Sequence, residues 1–115
     1  DRNVIQVVTL DPKLEDLLGA HVERSERGSY LSLPPQTQGR IVTAIRERVE
    51  QGSTQAAGAV VVVLCSPQVR MWVRRLIEQA MPHVPVLAYN EIVRGIEVQS
   101  LGLVVLTDGT ENVPG

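Results

Sequence analysis

Runs of branched aliphatic residues, and short segments in which apolar and polar residues alternate, predict four β-strands in this chain. The first begins close to the N-terminus and has a rough period of two, which is typical of a half-buried strand. The second is an unbroken apolar run, which indicates a central strand covered on both faces. The predicted strands cover residues 3–10, 59–64, 86–88 and 97–106, the last of them broken at Gly102.

Three segments carry apolar residues at helical spacing, and each follows a proline. Proline is favoured at the first position of a helix, and Asp11 and Ser66 stand where side-chain caps are expected. We expect the first helix to stop at Gly19 and the second to end near Gly52, whereas the charged residues 21–32 predict a solvated loop or a fraying helix end. The apolar stripes consist of Leu14, Leu17 and Leu18; of Ile41, Val42, Ile45 and Val49; and of Val69, Trp72, Val73, Leu76, Ile77 and Ala80.

The order of these elements predicts an α/β fold. We expect a small mixed sheet of about four strands, packed with three helices in the order β-α-α-β-α-β-β and arranged in two or three layers. A parallel crossover runs through the helix after Pro67, and the last strand is expected to be antiparallel. Residues 1–115 are interpreted as a single α/β subdomain, with residues 107–115 as a C-terminal tail.

Composition narrows the class of protein. Of the 115 residues, 43% are hydrophobic and 21% are charged, which is the composition of a folded globular chain and not of a disordered one. The net charge of -2 does not indicate binding to nucleic acid. There is no Phe and only one Trp, which predicts an aliphatic core. The longest apolar stretch, residues 59–65, is far shorter than the roughly 20 residues of a membrane helix. The chain begins at Asp1 and not at Met, and we interpret it as a piece of a longer protein.

The sequence contains few candidate residues for catalysis, nucleotide binding or metal binding. Cys65 stands between a strand and a helix, where phosphatase thiolates occur, but Arg70 follows it after four residues and not the required five. We therefore interpret Cys65 as a small buried hydrophobic residue. His21 and His83 lack the spacing of metal ligands, and neither a dinucleotide-binding nor a P-loop glycine motif is present in the sequence. The sequence predicts no catalytic residue, no cofactor and no metal.

A polar group beside the apolar framework is the candidate site for contact with another protein. Arginine is enriched in protein interfaces, and polar side chains at a strand end can form a binding site. The alternatives are an ordinary solvated helix face with Glu78 near Arg74, and a turn in which Asn90 adopts a left-handed conformation and Glu91 caps the next element. The candidate contact surface consists of Arg70, Arg74, Arg75, Tyr89, Asn90 and Glu91.

Several segments together resemble a known family. Leu33-Pro34-Pro35 opens a long helix, Cys65-Ser66-Pro67-Gln68-x-Arg70 joins a strand to a helix, and PVLAYNEI precedes a final strand that ends LGLV. Over about residues 4–106 the chain is similar to the C-terminal end of the export-gate family of type III secretion, FlhA in flagella and SctV in injectisomes. The family's chaperone-binding cleft lies between earlier subdomains, so no chaperone contact is assigned to this chain.

The resemblance implies a non-enzymatic scaffold or docking subdomain of a bacterial inner-membrane protein. Its cytoplasmic parts would form a homo-oligomeric ring that receives export substrates, chaperones and other proteins of the export apparatus. This chain would lie on the cytoplasmic face of the membrane without spanning it. From the residues alone, a small free-standing α/β enzyme and a ligand-binding regulatory domain remain as alternatives.

Overall fold

The computed structural model describes residues 3–106 and confirms the α/β fold class. The predicted order of elements is also confirmed, with two additional short strands after the first helix. The predicted tail, residues 107–115, lies outside the described residues. The elements are β1 (Val4–Leu10), α1 (Pro12–Ala20), β2 (Val22–Ser25), β3 (Gly28–Leu31), α2 (Pro35–Gln55), β4 (Val61–Cys65), α3 (Pro67–Ile77), β5 (Val86–Ala88) and β6 (Glu97–Val104), with a 3-10 turn at Tyr89–Glu91 between the last two strands.

The main sheet has four strands in the order β5-β4-β1-β6, and every neighbouring pair is parallel. The expectation of an antiparallel last strand is therefore wrong. The strands β5 and β6 lie at opposite edges of the sheet, so the connecting residues 89–96 carry the chain across it before the last strand begins. This connection allows β6 to run in the same direction as β1 although it contains no α-helix.

The segment 21–32, predicted to be a loop or a helix end, forms an antiparallel hairpin of β2 and β3. Its turn is closed by Ser25, whose hydroxyl donates to the carbonyl of Gly28 and accepts from the main-chain N–H of Arg27. The prediction failed because most residues of both strands are exposed. Strand prediction depends on an alternation between buried and exposed positions, which this hairpin lacks.

All three helices pack on one face of the sheet. Their buried residues, including Leu18, Ile45 and Val73, form one hydrophobic cluster with Val8 and Val63 of the inner strands. Trp72 is 6% exposed, which confirms its assignment to the core side of α3. The molecule therefore has two layers, helices on a sheet, and its core is mainly aliphatic as the composition predicted.

The opposite face of the sheet has a smaller cluster. Val7, Val62 and Leu64 are buried there, and the partly buried Ile92 packs against them. Ile92 belongs to the connection between β5 and β6. The chain therefore covers the middle of this face with its own crossing segment.

Two glycines of the predicted boundaries affect how α2 and β6 pack and pair. Gly52 does not end α2, which continues to Gln55; a Cβ at Gly52 would lie 3.0 Å from Cδ1 of Leu101, so this glycine allows the helix to approach β6. The break predicted at Gly102 is a shift of register within β6. Val7 pairs with Ser100 while Val8 pairs with Gly102, which leaves a β-bulge at Leu101, and the strand continues to Val104.

The ends of the helices also differ slightly from the predictions. The first helix ends at Ala20, one residue beyond Gly19. Asp11 and Ser66 occupy the predicted N-cap positions, but neither side chain makes a capping hydrogen bond. Within residues 3–106, no helix combines the length and the apolar character needed to cross a membrane.

Candidate functional site

The carboxyl ends of β4 and β5 place the start of α3 beside the 3-10 turn that follows β5. Glu91, the last residue of this turn, accepts a hydrogen bond from the main-chain N–H of Ala88 at 2.8 Å. The same carboxylate oxygen accepts from Nε of Arg70 on α3, also at 2.8 Å. Glu91 therefore closes the turn and joins it to the helix. The sequence analysis considered a cap on the element that follows Glu91, whereas the carboxylate bonds to the end of the preceding strand, β5.

The ion pair between Arg70 and Glu91 lies at the surface, with side chains that are 40% and 41% exposed. The hydrogen bond from Ala88 holds the pKa of the Glu91 carboxyl below its ordinary value; partial desolvation opposes this effect, and the Arg70 guanidinium adds to it. Exposed ion pairs contribute little to stability because water and salt screen them. The main-chain bond from Ala88 therefore closes the turn, and the ion pair adds a contact with α3.

Tyr89 and Asn90 project from the same turn and are both exposed, Tyr89 by 47%. Partial burial raises the pKa of the Tyr89 hydroxyl, and the negative charge of Glu15 raises it further. The alternative of a left-handed Asn90 is wrong, because Ala57 is the non-glycine residue with a positive φ in the described part of the chain. The turn thus presents a tyrosine and an amide side by side on a firmly held backbone.

The other two arginines of the candidate contact surface have separate surroundings. Arg74 donates from Nη1 to the carbonyl oxygen of Val84 at 3.1 Å. It therefore contacts the segment just before β5 and not Glu78. The guanidinium of Arg75 lies over the ring of Trp72, 5.2 Å from its centroid. The structure therefore brings Arg70 and residues 89–91 together, while Arg75 lies beside Trp72 and the hairpin.

Glu15 is a residue of this region that the sequence analysis did not identify. Its carboxylate accepts a hydrogen bond of 2.7 Å from the main-chain N–H of Ser66, at the beginning of α3. An acidic group at a helix N-terminus is favourable, and this one takes the place of the side-chain cap expected from Ser66. The partners are 51 residues apart, and no local spacing rule indicates such a pair.

Cys65 is fully buried at the end of β4, and its Sγ lies 3.8 Å from the carbonyl oxygen of Leu87. Burial, reinforced by the negative charge of Glu15, raises the pKa of the thiol to about 12. Only the thiolate is strongly nucleophilic, and at neutral pH this thiol is protonated. Its surroundings agree with the interpretation of Cys65 as a small core residue.

We expect iodoacetamide at pH 7 to leave Cys65 unmodified in the folded chain and to alkylate it fully in denaturant, because both the burial and the high pKa of the thiol are lost on unfolding. Intact-mass spectrometry measures both reactions on the chain's single cysteine. Free cysteine in the same buffer is the control for reagent activity. Rapid modification of the native chain would show that the thiol is accessible.

The two histidines are not brought together as metal ligands. His21 donates from Nδ1 to the carbonyl oxygen of Leu17, and His83 is an exposed residue of the turn before β5. Among residues 3–106 there is no cluster of three His, Cys, Asp or Glu side chains with a geometry for metal binding.

The fold is closely similar to parts of larger solved proteins. The Chlamydia pneumoniae CdsV protein matches with a TM-score of 0.77 and 31% identity, over 90% of this chain and 29% of CdsV. The nonameric SctV-C structure from EPEC matches with a TM-score of 0.75 and 25% identity, over 89% of this chain and 29% of that one. The match covers less than a third of each solved chain, so this chain spans only part of their length.

Two known bacterial proteins are similar to this chain in sequence over most of its length. The flagellar biosynthesis protein FlhA of Bacillus subtilis is 40% identical over 104 residues, and the low calcium response locus protein D of Yersinia pestis is 29% identical over 104 residues. These matches cover 90% of this chain but only 15% and 14% of the two relatives, so the chain spans a small part of their length. The FHIPEP family model matches residues 1–97, and the chain therefore belongs to the FHIPEP family.

Proposed function

We propose that this chain is the last cytoplasmic subdomain of a type III secretion export-gate protein and acts as a non-enzymatic scaffold and docking module. The observation that carries the proposal is the family match over residues 1–97, together with the similarity of the fold to CdsV. The parent protein would lie in the bacterial inner membrane, with this subdomain on the cytoplasmic side.

The proposed partners follow from the relatives. SctV-C from EPEC is nonameric, and CdsV has been solved in a complex with CdsO. By analogy, we propose that the parent of this chain forms a homo-oligomeric ring and that the subdomain contacts other proteins of the export apparatus, including substrates and their chaperones. Such a role requires exposed side chains, which the turn at residues 89–91 provides, and the Glu91 carboxylate joins this turn to α3.

An enzymatic role has little support from the side chains. Cys65, the candidate nucleophile, is buried and has a pKa of about 12. Tyr89, Asn90 and Glu91 lie together, but Glu91 is engaged by Ala88 and Arg70. A ligand-binding regulatory role has no specific observation in its favour.

Reversing the charge of Arg74 and Arg75 in the full-length protein is expected to reduce export several-fold, because arginines in the centre of an interface often contribute strongly to binding. Secretion of a reporter substrate into the medium measures the effect. Arg94→Glu, which changes one exposed arginine of the connection between β5 and β6, is the matched control for the reversal of a single charge in Arg75→Glu.

Protein level and ring assembly are measured in the same strains. The double variant also loses the hydrogen bond from Arg74 to the carbonyl oxygen of Val84. A variant with Arg75→Glu alone keeps this bond, so it separates the loss of the bond from the change of charge at the surface. Normal export by both variants would contradict the proposed docking role of this surface.

A further inference from the structure

A cleft of about 490 Å³ lies between the β2-β3 hairpin and helices α2 and α3. Its wall combines aromatic and aliphatic side chains with amides, which is the usual composition of a site that binds part of another molecule. Tyr30 stands on the hairpin side and is 51% exposed, whereas Trp72 is almost fully buried on the α3 side. The lining side chains that the argument uses are Tyr30, Val42, Trp72, Arg75, Leu76 and Gln79. We refer to this site as the hairpin cleft.

Arg75 gives the hairpin cleft a positive charge. Its guanidinium carbon lies 5.2 Å from the centroid of the Trp72 ring, within the range of a cation–π contact, which restrains the position of the charge. The ion pair in the described part of the chain joins Arg70 to Glu91, so the charge of Arg75 has no carboxylate partner among residues 3–106. None of the residues that line the cleft is acidic.

We infer that the hairpin cleft binds an extended acidic peptide segment of a partner protein, with a carboxylate on Arg75 and a neighbouring apolar side chain against Tyr30, Leu76 and Val42. A guanidinium can pair with a carboxylate through two parallel hydrogen bonds, which adds specificity for an acidic residue. Tyrosine, tryptophan and arginine are also the residues most enriched at the energetic centres of protein interfaces. The charge of the cleft therefore favours an acidic partner over a neutral or basic one.

The inference rests on the proposed docking function and specifies the chemistry of one partner. It is tested separately, because the experiment measures binding to the 115-residue chain and not secretion. Failure of the peptide to bind would remove the cleft as a binding site, whereas normal export by the full-length charge-reversal variants would contradict the docking function.

The probe is an acetylated and amidated hexapeptide in which glutamate alternates with leucine, and the comparison peptide has glutamine at each glutamate position. Trp72 is the chain's single tryptophan, so its fluorescence and its indole N–H signal in NMR report directly on the cleft. We expect saturable changes with the glutamate peptide and about tenfold weaker binding of the glutamine peptide, as is reasonable for the loss of one charge-assisted pair.

Arg75→Gln is expected to remove the preference for glutamate, and Arg75→Lys to retain only part of it because an ammonium group lacks the planar fork. Arg94→Gln makes the same change of charge away from the cleft and is expected to leave both affinities unchanged. Circular dichroism verifies that each variant is folded. Equal binding of the two peptides, unchanged discrimination by Arg75→Gln, NMR shifts confined to other surfaces, or no saturable change at all would each overturn the inference.

Discussion

Replacing Trp72 with alanine is expected to lower the free energy of unfolding by about 3–5 kcal/mol, the usual cost of truncating a large buried aromatic residue. Trp72 is 6% exposed on α3, and the loss includes its contact with the Arg75 guanidinium. Domains of this size have a total stability of only about 5–15 kcal/mol, so the variant is expected to be partly unfolded at moderate temperature. Urea unfolding followed by circular dichroism measures the change, because the fluorescence of the only tryptophan is lost in the variant.

The matched control is Met71→Ala on the same helix. Met71 is 44% exposed and its truncation is expected to change stability by no more than about 0.5 kcal/mol. Alanine is the better helix former at both positions, so a large loss in the Trp72 variant alone would come from its burial and not from helix propensity. Equal losses for the two variants would contradict the burial of Trp72 as the source of its contribution.

Replacing Gly102 with valine is the second large expected effect. Gly102 has φ of +151°, a conformation that L residues rarely adopt, and forcing such a residue into it costs about 1–3 kcal/mol. A Cβ at this position would also lie 2.9 Å from Cδ of Arg48, so that side chain must move. We expect the free energy of unfolding to fall by at least the cost of the backbone strain, measured by the midpoint of urea unfolding.

Gly19→Ala provides the control for the removal of a glycine. Gly19 lies in α1 with open space around its Cα, and alanine at a helical position is expected to stabilise the chain by about 0.5–1 kcal/mol. The two glycine variants should therefore change stability in opposite directions. A valine at residue 102 that leaves stability unchanged would show that the bulge can relax without cost.

The elements that the sequence predicted well are those with a buried face. The stripe that includes Ile41, Ile45 and Val49 and the continuous run of β4 both reflect contact with the core, and the structure confirms them. The hairpin was missed because β2 and β3 are mostly exposed, and burial is what makes a periodic pattern visible. The direction of β6 was also wrong, because it depends on the path of residues 89–96 across the sheet, which has no local sequence signature.

The candidate contact surface was predicted in part. The strand-to-helix junctions place Arg70 near Glu91, and the parallel pairing of β4 with β5 brings these two distant residues together. Their polarity suggested a surface, but the separation of Arg75 from the turn depends on its angular position around α3 and on the unpredicted hairpin. The bond between Glu15 and Ser66 was not predictable from the sequence, because it requires the relative placement of α1 and α3.

The position of β1 inside the sheet has a consequence for the biosynthesis of the protein. Among the four strands of this sheet β1 is made first, yet one of its two neighbours is β6, which is made after the other three, and Gln6 meets Gln99 across a sequence separation of 93 residues. Pairings between distant residues are slow to form, and an unpaired strand edge can recruit other chains. On the ribosome, one edge of β1 therefore stays open until β6 has emerged, and during this interval the open edge can pair with other chains unless a chaperone covers it.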